Sequence, residues 1–286
     1  MIRLQFDAGQ GLSKEDFDRL NNNFENIGFI DTAASRSLTF ATTEKSLNRA
    51  LQNPAVVFIL AEKSLLDILV SVDAKTVPMV NPQYCFVKIH NSLDNMIKFS
   101  PTVVSKSSFI STSAKIDPFG VIIGDGVIVE DFVSIGRGTT IDKNVQIHAG
   151  ARIGTDSLYR TFDNNQRVHT MNHYGGVHIN EDCVIGNNAV VGRAIFPYEH
   201  TNIGSGTLIG PNSNIAHGVF LGKNNFVGSS VSISGYSKIG DNNFFGPNSA
   251  VGHRIAIGDS NKIGMSAQVL RNIQDRKLVI GSKVLS

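Results

Sequence analysis

The sequence predicts a parallel β-helix of six-residue repeats behind a small α/β domain, and three observations carry that prediction. The first is a period of six. Stepping from Ile179 to Val269, the positions are Ile179, Ile185, Val191, Pro197, Ile203, Ile209, Ile215, Leu221, Val227, Ile233, Ile239, Phe245, Val251, Ile257, Ile263 and Val269, and most are followed by Gly. Such an array is the signature of a solenoid of hexapeptide repeats. The second is an alternation of strand and helix patterns over residues 1–100. The third is an interruption of the period between Ile153 and Ile179.

The hexad has a direct physical reading. One unit is a short strand plus a corner, with one apolar side chain pointing into a narrow prism and small residues filling the turn. Three units make an 18-residue triangular coil, and coils stack about 4.8 Å apart, so residues 18 apart lie above one another. An earlier block shares the period (Ile123, Val129, Ile135, Ile141, Ile147, Ile153), preceded by Ile110 and Ile116 one residue out of register. An ordinary sandwich would place turn signals every 8–12 residues and does not give this spacing.

In the first 100 residues, Ser13 with Asp16 three residues on is a helix-start signal, since the cap oxygen satisfies a free backbone N–H. Helices are expected at 14–23, 44–52, 63–70 and 83–93, and strands at 37–41, 55–60 and 77–80. Residues 94–108 then read as a hinge, 101–271 as the β-helix and 272–286 as a short C-terminal extension. The interval from Ile153 to Ile179 is 26 residues, two more than a multiple of six. Residues 155–178 must therefore leave the prism. Their Tyr159, Arg160, Phe162, Arg167, His169, His173 and Tyr174 suit a binding loop better than a solvated flap.

Composition narrows the functional classes. A formal charge of +2 with 26 basic residues in no dense run argues against nucleic acid. The N-terminus lacks an apolar signal core and no apolar run approaches the length of a membrane span, so no membrane insertion is expected and a cytoplasmic protein is. Cys85 and Cys183 have no partner spacing and read as reduced thiols. A core without Trp must be largely aliphatic.

Residues 37–271 resemble the UDP-3-O-acylglucosamine N-acyltransferases of lipid A synthesis and, more broadly, hexapeptide N-acyltransferases of nucleotide-linked amino sugars. The resemblance lies in Leu38-Thr39-Phe40, Val80-Asn81-Pro82, Asn214-Ile215-Ala216-His217-Gly218-Val219, Ser232-Ile233-Ser234-Gly235 and Val251-Gly252-His253. It implies a left-handed β-helix, a homotrimer with active sites between neighbouring helices, and the 155–178 loop of one chain near His217 of another. It also implies His217 as general base, Gly235 N–H as oxyanion donor and His253 as a wall of the acyl-donor channel.

Spacing gives these residues an independent rationale. Gly235 lies 18 and His253 36 residues after His217, so the three share one place on successive coils, with the two histidines roughly 10 Å apart. Histidine suits proton acceptance near neutral pH, and a glycine N–H suits a developing oxyanion. The competing readings are an exposed corner histidine, an ordinary tight-turn glycine and an interface histidine. Asn214 is a candidate donor or sugar contact or a plain corner Asn. Phe40 is a base-stacking ring or a core ring, and His173 and Tyr174 are candidate sugar or nucleotide contacts. Lys223, Arg254 and Lys262 are available to coenzyme A phosphates.

Departures from the lipid A pattern shape the substrate expectation. Ser46 stands where that family carries an aromatic residue six after the Phe40 position, and the ending resembles the short terminal strand of coenzyme-A-dependent sugar acetyltransferases. The expected reaction is acyl transfer from acyl-coenzyme A, a co-substrate and not a bound cofactor, to the amine of a nucleotide-linked deoxyamino sugar, dTDP favoured, for surface glycans. The alternatives are the lipid A reaction with an acyl carrier protein, a trimeric zinc carbonic anhydrase using His173 and His178, and a non-catalytic sugar-nucleotide-binding scaffold. No metal is required by the favoured reading.

Overall fold

A computed structural model describes residues 12–66 and 75–285. Its chain divides into two compact units, one containing residues 12–66, 75–97 and 158–172 and the other 98–157 and 173–285.

In the first unit, Lys14–Leu20 (α1), Asn26–Ile27 (β1), Ser37–Ala41 (β2), Glu44–Gln52 (α2), Val56–Glu62 (β3), Lys63–Leu66 (α3), Thr76–Met79 (β4) and Pro82–Asn91 (α4) follow in order. All four strands are parallel, in the order β1-β2-β3-β4. Local chemistry sets the helix starts. Ser13 accepts from Asp16 N at 3.0 Å, and Asn81 accepts from Tyr84 N at 3.1 Å with Pro82 opening the helix. Ser46 closes a capping box with Thr43, a local reason for a small polar residue there. Strand β1 is absent from the sequence expectation; it is two residues long, too short for a periodic signal. The expected helix at 63–70 is seen through Leu66, and 67–70 lie outside the described residues.

The second unit is a parallel β-helix. Its three faces begin with Val103–Val104, Phe109–Ile110 and Lys115–Ile116 and are sheets of eight, ten and eight strands. The expected hinge at 94–108 therefore already contains the first strand of the solenoid, because Val103 and Val104 pair with Ile122 and Ile123. The inward hexad residues form one continuous buried aliphatic cluster. Stacked Asn side chains hold one corner: Asn225 Oδ1 accepts from Asn243 N and Asn243 Oδ1 from Asn261 N, both at 2.8 Å. Past residue 271, Ile273 bridges Ile257, and Leu278–Ile280 pairs with Lys262 and Ile263 before folding back on Lys283–Leu285.

The register explains each irregularity of the sequence. Ile203, Leu221, Ile239 and Ile257 stack at 18-residue steps. Ile110 and Ile116 pair with Val129 and Ile135 at 19, because the corner between Ile116 and Ile123 carries one extra residue. Ile153 pairs with Val191 at 38, which is a coil plus a 20-residue excursion. Ile179, however, pairs with Ile203 at 24. A second insertion of six residues, 193–198, sits there and is invisible to the periodicity because its length equals one repeat. Pro197, the one position of the array that is not Ile, Val, Leu or Phe, is not a rung at all; it is exposed on that insertion.

The excursion is shorter and more ordered than a 155–178 loop. Arg160–Phe162 and Val168–Thr170 form an antiparallel hairpin within the first unit. Gln83 Nε2 donates to Tyr159 Oη (3.2 Å), Asn81 Nδ2 to Phe162 O (2.9 Å) and Asn91 Nδ2 to Thr170 O (2.9 Å), so α4 holds it along its length. Residues 173–178 belong to the helix unit, and Gly176–Ile179 is one of its strands.

Candidate active site

Both insertions leave the solenoid at the same corner, between its third and first faces, and the predicted residues stack at that corner. Tyr236 N donates to His217 O at 3.0 Å and Arg254 N to Gly235 O at 3.1 Å, which fixes His217, Gly235 and His253 one above another on three coils. Their backbone conformations set this corner apart. At the other corners of the neighbouring coils the left-handed position is filled by Asn188, Asn212, Asn224, Asn242, Asn248, Ser230, Ser260 and Ser266, with Phe132, Asp182 and Arg276 nearer the two ends, whereas here it is Gly218, then Tyr236 (φ 59°), then Arg254 (φ 59°). A large side chain in that region carries strain, which clusters at functional sites.

Gly235 is needed for close approach. A Cβ built on it would lie 2.5 Å from His217 Nε2 and 2.8 Å from Cδ2, so the imidazole rests on the bare Cα of the next coil. That lean brings the His217 and His253 ring centroids to 6.4 Å, closer than coil spacing alone implies. His173 packs edge-on against His217 at 5.5 Å. His217 Nδ1 is buried without a hydrogen-bond partner. Burial, then the neighbouring His173, His253 and Arg254, push the His217 pKa down to about 4. The ring is therefore neutral at pH 7, with a lone pair free to take a proton, and is a weaker base than an ordinary histidine.

A second group surrounds the histidines, and sequence reasoning missed it. Tyr236 packs edge-on to His217 (5.4 Å) and His253 (6.1 Å), and its hydroxyl donates to Glu199 Oε2 at 3.0 Å. Arg254 lies over the Tyr236 ring at 5.3 Å and its Nε donates to His253 Nε2 at 3.3 Å. Burial raises the Glu199 carboxyl to about 7, against the lowering effect of the Tyr236 hydrogen bond and of Arg254. His253 is held below its ordinary range by burial and by Arg254. One full coil back from His217 the chain reaches Glu199, so the signal was present in the spacing.

The remaining predicted residues fall in different places. His173 (1% exposed) and Tyr174 (7%) are buried in the helix unit instead of displayed on a loop, with Tyr174 N donating to Ile195 O at 2.9 Å. Asn214 projects outward from the third face between Val190 and Ser232. Phe40 belongs to the first unit, where its ring meets Phe86 at 4.9 Å and Phe29 at 6.5 Å. His178 is tied to Asp142 (Nε2 to Oδ2, 3.0 Å) and not to His173, and among the described residues no group of three or more His, Cys, Asp or Glu is placed to hold a metal ion. Cys85 and Cys183 are free and buried. No described helix is long and apolar enough to cross a membrane.

The family model for the hexapeptide repeat of succinyl-transferase matches residues 171–193. Among solved structures, the chain is similar to the UDP-N-acetylglucosamine acyltransferase of Francisella novicida, with 20% identity over 64% of this chain and 68% of that one and a TM-score of 0.49. The corresponding O-acyltransferase of Moraxella catarrhalis gives 23% identity, 62% and 68% coverage and 0.48. The acetyltransferase domain of PglB from Neisseria gonorrhoeae gives 12%, 87% and 97% coverage and 0.25. No curated protein matches the sequence. None of these superpositions is close, so the functional reading rests on the site's own geometry.

Proposed function

We propose that this chain is an N-acyltransferase that moves an acyl group from an acyl-coenzyme A thioester to the amine of a nucleotide-linked deoxyamino sugar, with dTDP as the favoured nucleotide, for surface glycans. The observation that carries the reading is the neutral, buried imidazole of His217 seated on the bare Gly235 backbone. The amine attacks the thioester carbonyl while His217 takes its proton. The tetrahedral oxyanion accepts from the Gly235 N–H, and coenzyme A leaves as thiolate and takes up a proton. His253, with Arg254 beside it, lines the donor side, and Asn214 contacts donor or sugar. His173 and Tyr174 shape the sugar end of the site, and Phe40 of the first unit is the candidate ring for stacking on a base.

The same reading has the protein working in the cytoplasm as a left-handed β-helical homotrimer. Support for association comes from the outward side of the second face, where Leu208, Phe226 and Phe244 are exposed and the Phe226 and Phe244 rings stack at 5.2 Å. Sedimentation or light scattering reads the trimer directly.

The deciding experiment is thiol release from acetyl- and longer acyl-coenzyme A against dTDP- and UDP-linked 3- and 4-amino sugars, with UDP-3-O-acylglucosamine plus an acyl carrier protein donor as control. Turnover with a coenzyme A donor and a deoxyamino sugar is expected. Activity confined to the control would make the chain a lipid A acyltransferase, and silence throughout would refute acyl transfer to these acceptors.

A further inference from the structure

Glu199 stands one full coil before His217, as His217 stands one coil before Gly235, and the pairing of Asn202 with Phe220 puts Glu199 and His217 at the same point of successive coils. It reaches that point because the six-residue insertion at 193–198 ends just before it. The Tyr236 ring, two coils on, lies over Gly218 of the coil between and brings its hydroxyl back to Glu199 Oε2 at 3.0 Å.

The Tyr236 ring thus pinned is wedged between chemistry-bearing groups. It meets the His217 ring at 5.4 Å and the His253 ring at 6.1 Å, both T-shaped. Its face is covered by Arg254. Below it lies Gly218, where an added Cβ would sit 2.8 Å from Cε1 of the tyrosine. The tyrosine takes this place in a left-handed conformation (φ 59°) that the other corners of the same coils give to Asn or Ser.

His217 needs such a wall. A base histidine is ordinarily oriented by a carboxylate or carbonyl on its second ring nitrogen, but His217 Nδ1 is buried and has no such partner. Orientation is left to packing, by His173 on one side and Tyr236 on the other.

We propose that Glu199 is a positioning residue for His217, acting through Tyr236: the carboxyl fixes the hydroxyl, and the ring so fixed sets the orientation of the imidazoles of His217 and His253. The proposal rests on the reading of His217 as the base. The other charged or titratable groups at this cluster are His173, Tyr198, His253 and Arg254.

The test reads the rings themselves, in the full chain labelled with ¹⁵N/¹³C histidine, with the His217 and His253 signals assigned from H217N and H253N. Wild type, Y236F, E199A and E199Q are then titrated. Y236F and E199A are expected to split or broaden both ring signals and to move the His217 titration up toward that of a free histidine. E199Q keeps an oxygen for the tyrosine hydroxyl and should restore a single set. If thiol release is measurable, Y236F and E199A lower kcat by on the order of 10²-fold at most, with KM little changed. Unaltered ring signals in Y236F and E199A overturn the proposal, as does E199Q behaving like E199A. Silence in the thiol assay alongside the expected ring changes would instead refute the acyl-transfer reading and leave the positioning role standing.

Discussion

The corner that bears His217 and the two plain corners of the same coil are built on one backbone plan and filled by opposite rules. At the plain corners of these coils the left-handed position goes to Asn224, Asn242 and Ser260, or to Asn212, Ser230 and Asn248, residues that tolerate it. Stacked Asn225, Asn243 and Asn261 further tie one of them. At the third corner the same position holds Gly218, Tyr236 and Arg254, with two insertions opening beside it. Repetition gives stability, and departure from repetition marks where the coil has been put to use.

The largest break in this contrast is expected from the histidine itself. His217→Ala should lower turnover by on the order of 10² to 10⁴, with the unfolding midpoint near that of wild type, as measured by thiol release and denaturant titration. Gly235→Ala is the sharper experiment. The position has an ordinary φ, so backbone strain is not at issue, but the new methyl would stand 2.5 Å from His217 Nε2. The ring must swing away, and a displacement of that kind costs on the order of 10²-fold in rate. Full activity in that variant would mean the imidazole does not work from the seat it occupies here.

The pH dependence of stability separates the corner's two titrating groups. Glu199 is raised to about 7 from an ordinary 4.5 by burial, so the folded chain holds a proton that the unfolded chain has released. Its contribution is fully present below about pH 4.5 and is lost as pH rises through about 7. His217, lowered to about 4 from 6.5, acts in the opposite sense: the stability it contributes is present above about 6.5 and is lost as pH falls through about 4. Glu199→Gln should therefore match wild type near pH 4.5 and exceed it at pH 8 by about 1–3 kcal/mol. Parallel pH–stability curves for the two proteins would show that the carboxyl titrates normally.

How legible this molecule was depended on whether each feature had a period. The aliphatic rungs, the one-residue slip at Ile110 and Ile116, and the stacking of His217, Gly235 and His253 follow from counting by six and eighteen. The insertion at 193–198 escaped because it is one repeat long and left the count unbroken, with Pro197 its only trace. The hairpin at 160–170 escaped because its strands are three residues each. Glu199 sat in the right arithmetic position, but its role depends on Tyr236 reaching back one coil, a side-chain fact that spacing does not contain. The separation expected between the two histidines was too long for the same reason, since it measured coils and not leaning rings.

The smallest expected effect tests whether the unusual corner carries a cost. Arg254 is exposed and left-handed, in a slot that the plain corners of the neighbouring coils fill with Asn or Ser. Arg254→Asn should relieve roughly 1 kcal/mol of backbone strain. Against that stands the lost attraction between Arg254 and Glu199, which exists only when the carboxyl is ionised. The gain should therefore be clear at pH 5, where Glu199 carries its proton, and shrink at pH 8, where it does not. Chemical denaturation at the two pH values reads the difference. A gain of equal size at both would show that backbone strain alone separates this corner from the others, and a loss at pH 5 would show that Arg254 stabilises its coil by packing over Tyr236 more than its conformation costs.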